Sequence, residues 1–288
     1  MTNDAQRPRL NRRDLLKLGA GGAGALLLQG ARSCAAGEQP AAESAAGMLY
    51  DATLCVGCRS CELACKERNG LPPDSEPPQD LSADTWTLIK QYHAGDEVSF
   101  RKYQCMHCLY PACVSVCTVG ALKKTEDGPV VYDADKCIGC RYCQYGCPFG
   151  VPRFEWDKAL GLIGKCDFCA SRIADGLIPA CAAACPVGAL SFGTRAQMIE
   201  EAYNRLREHP DRYVSHVYGE IEGGGTSILI LASVPPEKLG LPDLGPEPLT
   251  QGSTTVMNAT PTVITLLVPI LGGVYWLSRK PDEDEEES

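Results

Sequence analysis

The chain has 288 residues, 44% of them hydrophobic, a formal charge of −9 and seventeen cysteines. Its length allows one large core or two modest ones, but with 7% aromatic residues and five Phe the interior is not built on large rings, and cysteine usage this high marks the thiols as its organisers. Six basic residues (Arg7, Arg9, Arg12, Arg13, Lys17, Arg32) precede residue 37, so the remainder is more acidic still; no Lys/Arg-rich stripe is left to follow a phosphate backbone, which excludes nucleic acid as a partner.

The N-terminus reads Asn11-Arg12-Arg13-Asp14-Leu15-Leu16-Lys17 and continues as a Gly/Ala/Leu run to Leu28. Paired arginines before a short, mildly apolar segment predict a twin-arginine export signal over residues 1–36, and with it the twin-arginine export machinery as a partner. The rival is a basic tail beside a weak apolar stretch; a membrane span is excluded by length and glycine content. Small residues from Gly30 to Gly37 offer several cleavage sites, so Cys34 is expected to leave with the signal. A lipid-attachment signal would place Leu three residues before that cysteine, where Ala31 stands. Exporting a folded chain has a chemical logic, because thiols threaded unfolded into an oxidising compartment become disulfides.

The other sixteen cysteines fall into four groups. The first is Cys55, Cys58, Cys61 and Cys65, and the second Cys105, Cys108, Cys113 and Cys117. The third is Cys137, Cys140, Cys143 and Cys147, followed by Pro148; the fourth is Cys166, Cys169, Cys181 and Cys185, followed by Pro186. Groups one and three have the C-x2-C-x2-C-x3-C spacing of bacterial ferredoxins. Three cysteines on a tight loop reach three corners of one [4Fe–4S] cubane, and Gly57 and Gly139 let the chain bend close to it. The fourth cysteine starts a new direction and ligates a second cluster. All sixteen are therefore predicted iron ligands, holding four [4Fe–4S] clusters.

The groups also repeat. Cys55-Val-Gly-Cys-Arg-Ser-Cys matches Cys137-Ile-Gly-Cys-Arg-Tyr-Cys, and Cys117-Thr-Val-Gly-Ala-Leu matches Cys185-Pro-Val-Gly-Ala-Leu. One compact and one stretched group, occurring twice, read as a duplicated two-cluster ferredoxin. A disulfide scaffold would not carry a ferredoxin spacing in repeated groups, structural zinc does not suit four crowded thiolates with one odd partner, and CxxC redox catalysis needs one special pair. His107, between Cys105 and Cys108, reads as a neighbour that shapes the surroundings of a cluster, since the cysteines are already complete in fours. Arg59 and Arg141 could tune potentials through charge or be simply solvated.

Between the groups, Glu67 to Asp84 is rich in proline and acids and is expected to be a surface loop. Short strands are expected at the Ala-Leu pieces and at Pro129–Tyr132. Thr194-Arg-Ala-Gln197 predicts a capping box, opening a helix with Ile199, Ala202, Tyr203 and Leu206 on one face and its end near His209-Pro210. Ser227 to Val234 reads as a buried strand, and Pro235 to Pro248 as part of an extended linker. Ala259 to Leu277 holds no charged residue over 19 positions; at 1.5 Å per residue this reaches about 29 Å, the thickness of a bilayer core. Arg279-Lys280 follow at once, where the positive-inside rule places cations on the cytoplasmic side of an exported protein. The rival for this segment is a buried core helix.

The segments MLYDATLCVGC, QCMHC, CVSVC, GCRYC, CPFGVPRF, KCDFC, SFGTR and HVYGEIEGGGTSILIL, from about residue 48 to the C-terminus, resemble the four-cluster electron-transfer subunit of periplasmic hydrogenase-2 complexes. DLSADTWTLIKQY is similar to the beta subunits of formate dehydrogenase-N; both belong to the iron–sulfur subunits of the dimethyl sulfoxide reductase type. The resemblance implies a cluster pairing. Cys55, Cys58 and Cys61 would share a cluster with Cys185, and Cys65 would join Cys166, Cys169 and Cys181. Cys105, Cys108 and Cys113 would share one with Cys147, and Cys117 would join Cys137, Cys140 and Cys143. Thr118 departs from the family, where proline follows the cysteine; it is expected to cost some loop rigidity and no ligand.

The fold expected is therefore α+β: two interleaved bacterial-type, ferredoxin-like two-cluster domains plus one C-terminal transmembrane helix. The signal spans 1–36, the four-cluster core 48–193, a helix–strand extension 194–234, a proline-rich linker 235–258, the transmembrane helix 259–278 and an acidic cytoplasmic tail 279–288. The expected role is electron transfer at the periplasmic face of the cytoplasmic membrane, without catalysis by the chain alone. Its expected partners are a catalytic subunit, of hydrogenase or molybdopterin type, and a quinone-interacting integral membrane subunit. The alternatives are the beta subunit of a formate dehydrogenase or other molybdoenzyme, a free-standing polyferredoxin, and a self-contained cluster enzyme, which would need an incomplete cysteine group.

Overall fold

A computed structural model describes residues 44–95, 97–158 and 161–278; the twin-arginine segment, Cys34 and the acidic tail lie outside the described residues. One unit ends at Gln251 and another takes in the residues from Gly252 onward.

The first unit is anchored by a three-stranded sheet whose central strand is the earliest element, β1 (Ala46–Asp51). All six residues of β1 are buried, as a strand covered on both faces and both edges must be. On one side it pairs antiparallel with β8 (Leu190–Thr194), Met48 opposite Phe192; on the other it runs parallel to β9 (Ile228–Leu231), Met48 opposite Ile228. Alternation along the strands divides the faces. Leu49, Leu229 and Leu231 pack with Met198 and Ala202 of the helix α6 (Arg195–Glu208), whereas Met48, Tyr50, Ile228 and Ile230 enter the cluster of core residues that includes Cys61, Cys105, Cys166 and Cys181. Residues 194–234, expected as an extension, thus supply a strand and a helix to this same core.

The capping box forms at the start of α6: Gln197 N donates to Thr194 Oγ1 at 3.2 Å, and Thr194 N donates to Gln197 Oε1 at 2.9 Å. At the end of β1 the fully buried Asp51 accepts from Thr53 N, Thr53 Oγ1, Tyr213 Oη and Arg205 Nη1, at 3.0, 2.6, 2.8 and 2.9 Å. Arg205→Leu removes the one cation in this set, and breaking a buried ion pair costs about 3 kcal/mol at the lower end. The denaturation midpoint of the cluster-loaded variant measures this; an unchanged midpoint would mean the remaining three donors satisfy the carboxylate alone.

Between β1 and β8 regular structure is sparse. A ten-residue helix, α1 (Ser60–Asn69), carries Cys61 and Cys65, so the expected surface loop starts only at Gly70. A hairpin of β2 (Leu88–Ala94) and β3 (Glu97–Tyr103) follows. The remaining elements are α2 (Ala112–Ser115), β4 (Leu122–Lys124), β5 (Val130–Tyr132), α3 (Tyr142–Gly146), β6 (Arg153–Phe154), β7 (Ile163–Gly164), α4 (Ala170–Ala174) and α5 (Ala180–Ala183). β4 pairs with β5 and β6 with β7, which matches the short strands expected near Ala121-Leu122 and Pro129–Tyr132. A Cβ on Gly164 would stand 2.1 Å from the Ala83 carbonyl oxygen, so the β6–β7 hairpin seats against the preceding loop only because this position is glycine.

The linker expected at 235–258 is corrected in two places. Its first part packs on the core: Leu239 and Leu241 are buried, Arg101 Nη1 donates to Leu239 O at 3.1 Å, and Tyr218 Oη donates to Pro242 O at 2.8 Å. Apolar leucines between the prolines, placed to meet the β2–β3 hairpin, account for this. Its last part is already helical, since α7 runs Gln251–Ser278 and starts eight residues before the expected span.

The described part of the second unit is α7, 28 residues including Pro261 and Pro269. Its stretch Gln251–Tyr275 has a mean hydropathy of 1.5 and is long and apolar enough to cross a membrane. Its described side chains are exposed, which disfavours the buried-core reading. Thr265 Oγ1 donates back to Pro261 O at 2.7 Å, a local bond of the kind that keeps proline-bearing membrane helices satisfied.

Candidate cluster-binding sites

Each cysteine group begins with a C-x2-C loop, and all four loops turn left-handed at the residue before the second cysteine. The φ angles are 70° at Gly57, 47° at His107, 69° at Gly139 and 59° at Phe168. Glycine adopts this conformation freely, whereas His and Phe pay about 1–2 kcal/mol for it. The two rings offset that cost by stacking on each other, with centroids 4.8 Å apart and planes 19° from parallel. The turn brings backbone N–H groups onto sulfur: Gly139 N lies 3.4 Å from Cys137 Sγ, and Phe168 N 3.4 Å from Cys166 Sγ. The repeat extends to Arg59 (φ 61°) and Arg141 (φ 65°), which open α1 and α3 in the same strained conformation. Arg141 lies over the rings of Phe154 and Trp156, so it is not simply solvated. After the stretched groups, Gly120 N bonds to Cys117 O and Gly188 N to Cys185 O, with φ 64° at both glycines. Thr118 therefore takes the turn that Pro186 takes.

The thiols gather across the sequence. Cys55, Cys58, Cys61 and Cys185 line one cavity; Cys65, Cys166, Cys169 and Cys181 line another. Each encloses about 320 Å³ of empty space, part of it open to solvent. Cys65 thus lines a different cavity from the three cysteines that precede it: one turn beyond Cys61 on the same face of α1, it meets Cys181 of α5. Among the other eight, Cys108 and Cys143 each sense several neighbouring sulfurs. Burial, then the sulfurs of Cys105, Cys147 and Cys113, pushes the Cys108 thiol far up. Burial, then Cys137, Cys117 and Cys140, pushes Cys143 up to about 11. Among the described residues no three His, Cys, Asp or Glu side chains converge as a single metal ion would need, with zinc–sulfur bonds of about 2.3 Å. Four thiols around a larger space suit a polynuclear centre.

The electrostatics point the same way. Burial raises Cys61 and Cys65 to about 12, so these thiols ionise only against a strong positive centre such as bound iron. The buried Lys102 and Lys165 and the half-buried Lys124 lie near the thiols, and every acceptor these three use is neutral. Lys102 Nζ donates to Thr87 Oγ1 at 2.6 Å and to Gln104 Oε1; Lys165 Nζ to Val130 O at 2.5 Å and Cys166 O at 2.7 Å. Lys124 Nζ donates to His107 O at 2.9 Å, to Gly128 O and to Ser227 Oγ at 3.2 Å. No carboxylate lies within ion-pair distance of any of the three among the described residues. Burial pushes Lys124 down to about 8; at Lys102 burial is outweighed by nearby cysteine sulfurs, and its pKa stands above the ordinary lysine value. Unpaired buried cations are costly, and they fit sites that become net negative on loading.

His107 fits in another way. It is fully buried, and its Nδ1 accepts from Val130 N at 2.9 Å, so the proton sits on Nε2, which has no partner within the chain. Burial first, then Lys165, Lys124 and Lys102, hold the ring's pKa far below the usual histidine range. A neutral ring with one free N–H donor suits a neighbour of cluster sulfurs and not a ligand. The lysines and the left-handed Phe168 were missed by sequence reasoning. Their only signal was a charged residue at an inward strand position, Lys102, and a C-x2-C loop lacking glycine.

Residues 97–195 match the 4Fe-4S dicluster domain. The chain is 35% identical to the hydrogenase-2 operon protein HybA of Escherichia coli O157:H7, over 96% of this chain and 97% of that one. It belongs to the HybA-type family of iron–sulfur electron-transfer subunits. A protein of Nitratidesulfovibrio vulgaris is 39% identical, over 94% of this chain and 78% of its own length. The iron–sulfur subunit of the nitrate-inducible formate dehydrogenase of E. coli K12 is 36% identical, over 63% of this chain and 66% of that one. As a HybA-type subunit the chain binds iron–sulfur clusters and serves electron transfer in an oxidoreductase complex.

Proposed function

We propose that this subunit carries four [4Fe–4S] clusters at the periplasmic face of the cytoplasmic membrane and relays electrons between a hydrogenase-type catalytic subunit and a quinone-linked membrane subunit. The observation that carries this reading is the crossed gathering of thiols. Cys55, Cys58, Cys61 and Cys185 would hold one cluster, and Cys65, Cys166, Cys169 and Cys181 a second. Cys105, Cys108, Cys113 and Cys147 would hold a third, and Cys117, Cys137, Cys140 and Cys143 a fourth. Two ferredoxin-like domains are interleaved by this pairing. When bound, the clusters supply one-electron redox chemistry and nothing in the way of acid–base or group-transfer catalysis.

The residues around them do the rest. Left-handed turns at Gly139 and Phe168 present backbone N–H groups to sulfur, which favours the ionised thiol. Buried Met48 lines one of the first two sites, and buried Tyr50 and Ile89 the other, where they limit access of water. Cys58 and Cys140 are the two cysteines left exposed, and they mark where a cluster edge comes nearest to the surface. Residues 1–36 would direct export of the folded chain by the twin-arginine route, and the apolar stretch of α7 would anchor it with residues 279–288 in the cytoplasm.

A second reading has its own support: the likeness to a formate dehydrogenase subunit, which includes DLSADTWTLIKQY, leaves a molybdoenzyme as the catalytic partner. Membranes holding the chain decide between them. The chain is expected to resist alkaline carbonate extraction, to co-purify in mild detergent with its catalytic subunit, and to be reduced by hydrogen. Reduction by formate instead would install the second reading. Release by carbonate as a free polyferredoxin would overturn both.

A further inference from the structure

Lys102 lies on β3 and lines both of the cavities described above, that of Cys55, Cys58, Cys61 and Cys185 and that of Cys65, Cys166, Cys169 and Cys181. It is 3% exposed. Of Lys102, Lys124 and Lys165 it alone borders two sets of thiols that are both seen as cavities. Its ammonium has three donors; two are committed to Thr87 Oγ1 and Gln104 Oε1, and both acceptors are uncharged. The buried carboxylate that senses it, Glu62, is committed elsewhere: its Oε1 accepts from Ile89 N at 2.6 Å and lies 3.9 Å from Arg59 Nε. A buried ammonium without a carboxylate partner is unstable unless some other negative group compensates it. The negative groups it borders are the two thiol sets, so its charge acts on both at once, at short range and shielded from salt.

We propose that Lys102 is the shared counter-charge of these two cluster sites, favouring the reduced state of both and so setting their potentials together. This rests on the four-cluster reading. Each added electron makes a site more negative, so a fixed cation between two sites favours reduction of either. Its attraction for one site is not diminished by reduction of the other, so loss of the charge lowers both potentials. Lys102 is a positioning charge, not a ligand.

The test uses the membrane-extracted complex with its clusters, titrated potentiometrically and followed by electron paramagnetic resonance. In Lys102→Gln, which keeps a hydrogen-bonding side chain without the charge, two of the four midpoints are expected to fall. Each should fall by at least tenfold in the reduction equilibrium, about 59 mV for a one-electron couple, while the other two stay in place. Lys124→Met should not move the same two. A shift at only one site, at none, or at all four equally would overturn the assignment. If Lys102→Gln fails to assemble the two clusters, Lys102→Arg decides: restoration of both clusters at their original midpoints supports the shared charge, and failure to restore them refutes it. Counting clusters in the unmodified chain separates the two readings. Fewer than four there defeats the four-cluster reading, whereas four with unmoved midpoints defeats only the role of Lys102.

Discussion

Removal of iron by a chelator, under reducing and oxygen-free conditions, is expected to unfold the chain between Ala46 and Leu231 instead of leaving a folded shell. Between α1 and β8 the helices are four or five residues long and, β2–β3 apart, the strands two or three. Helices this short have no independent stability in water. Nor does an aliphatic core take over, since Cys61, Cys105, Cys166 and Cys181 are themselves members of the main buried cluster. Structural metal sites contribute about 10–16 kcal/mol of folding energy in small zinc domains, as much as the whole stability of an ordinary domain, about 5–15 kcal/mol. Loss of the cluster centres leaves no margin. The buried Lys102 and Lys165 would also lose the charge that compensates them. Far-ultraviolet circular dichroism and limited proteolysis follow the event. A chelated chain that kept its spectrum and its protease resistance would show that the polypeptide holds the fold unaided.

Replacing Cys65 with serine is expected to extinguish the same cluster as replacing Cys181, and to leave intact the cluster that Cys61→Ser destroys. Sequence proximity suggests the opposite, because Cys61 and Cys65 are four residues apart on one helix. The geometry separates them: Cys61 lines a cavity with Cys185, and Cys65 one with Cys181. Each variant should lose about one quarter of the iron and a single resonance signal, since a bacterial-type fourth cysteine serves the other cluster. Spectra recorded on both single variants and on the double variant settle the matter. A common signal lost in Cys65→Ser and Cys55→Ser would sink the crossed arrangement.

How far the sequence could be read depended on whether a signal was local. Cysteine spacing is local, and all sixteen thiols of the four groups were named from it. So were the capping box at Thr194 and the apolar C-terminal helix, whose residues carry their own pattern. β1 was invisible because Ala46–Asp51 is buried throughout and lacks the alternation that marks a half-exposed strand. The packed stretch after Pro235 was misread because its prolines argue for an extended chain, while the two leucines that seat it depend on a hairpin over a hundred residues earlier. The left-handed turns at His107 and Phe168 contradict residue preference outright. They are held by a ring stack between two loops, and no single loop contains that information. The lysines were missed for a related reason, since what distinguishes them is the carboxylate they lack.

The pairing of β1 has a consequence for timing. Its partners stand at Leu190–Thr194 and Ile228–Leu231, so the strand at the centre of the sheet is synthesised first and completed last. Roughly 180 residues must follow Asp51 before Leu231 exists to meet it, which at about 5–20 residues per second takes about 10–40 s. Until Thr194 has been made Met48, Leu49 and Tyr50 have no partner strand, and until Leu231 the sheet lacks its third; long-range closure of this kind is the slow step of folding. The loops that hold the cysteines all lie inside the stretch that β1 and β9 bracket. Closure of the sheet therefore reports that every thiol has emerged, and the strand that registers it stands immediately after the N-terminal segment.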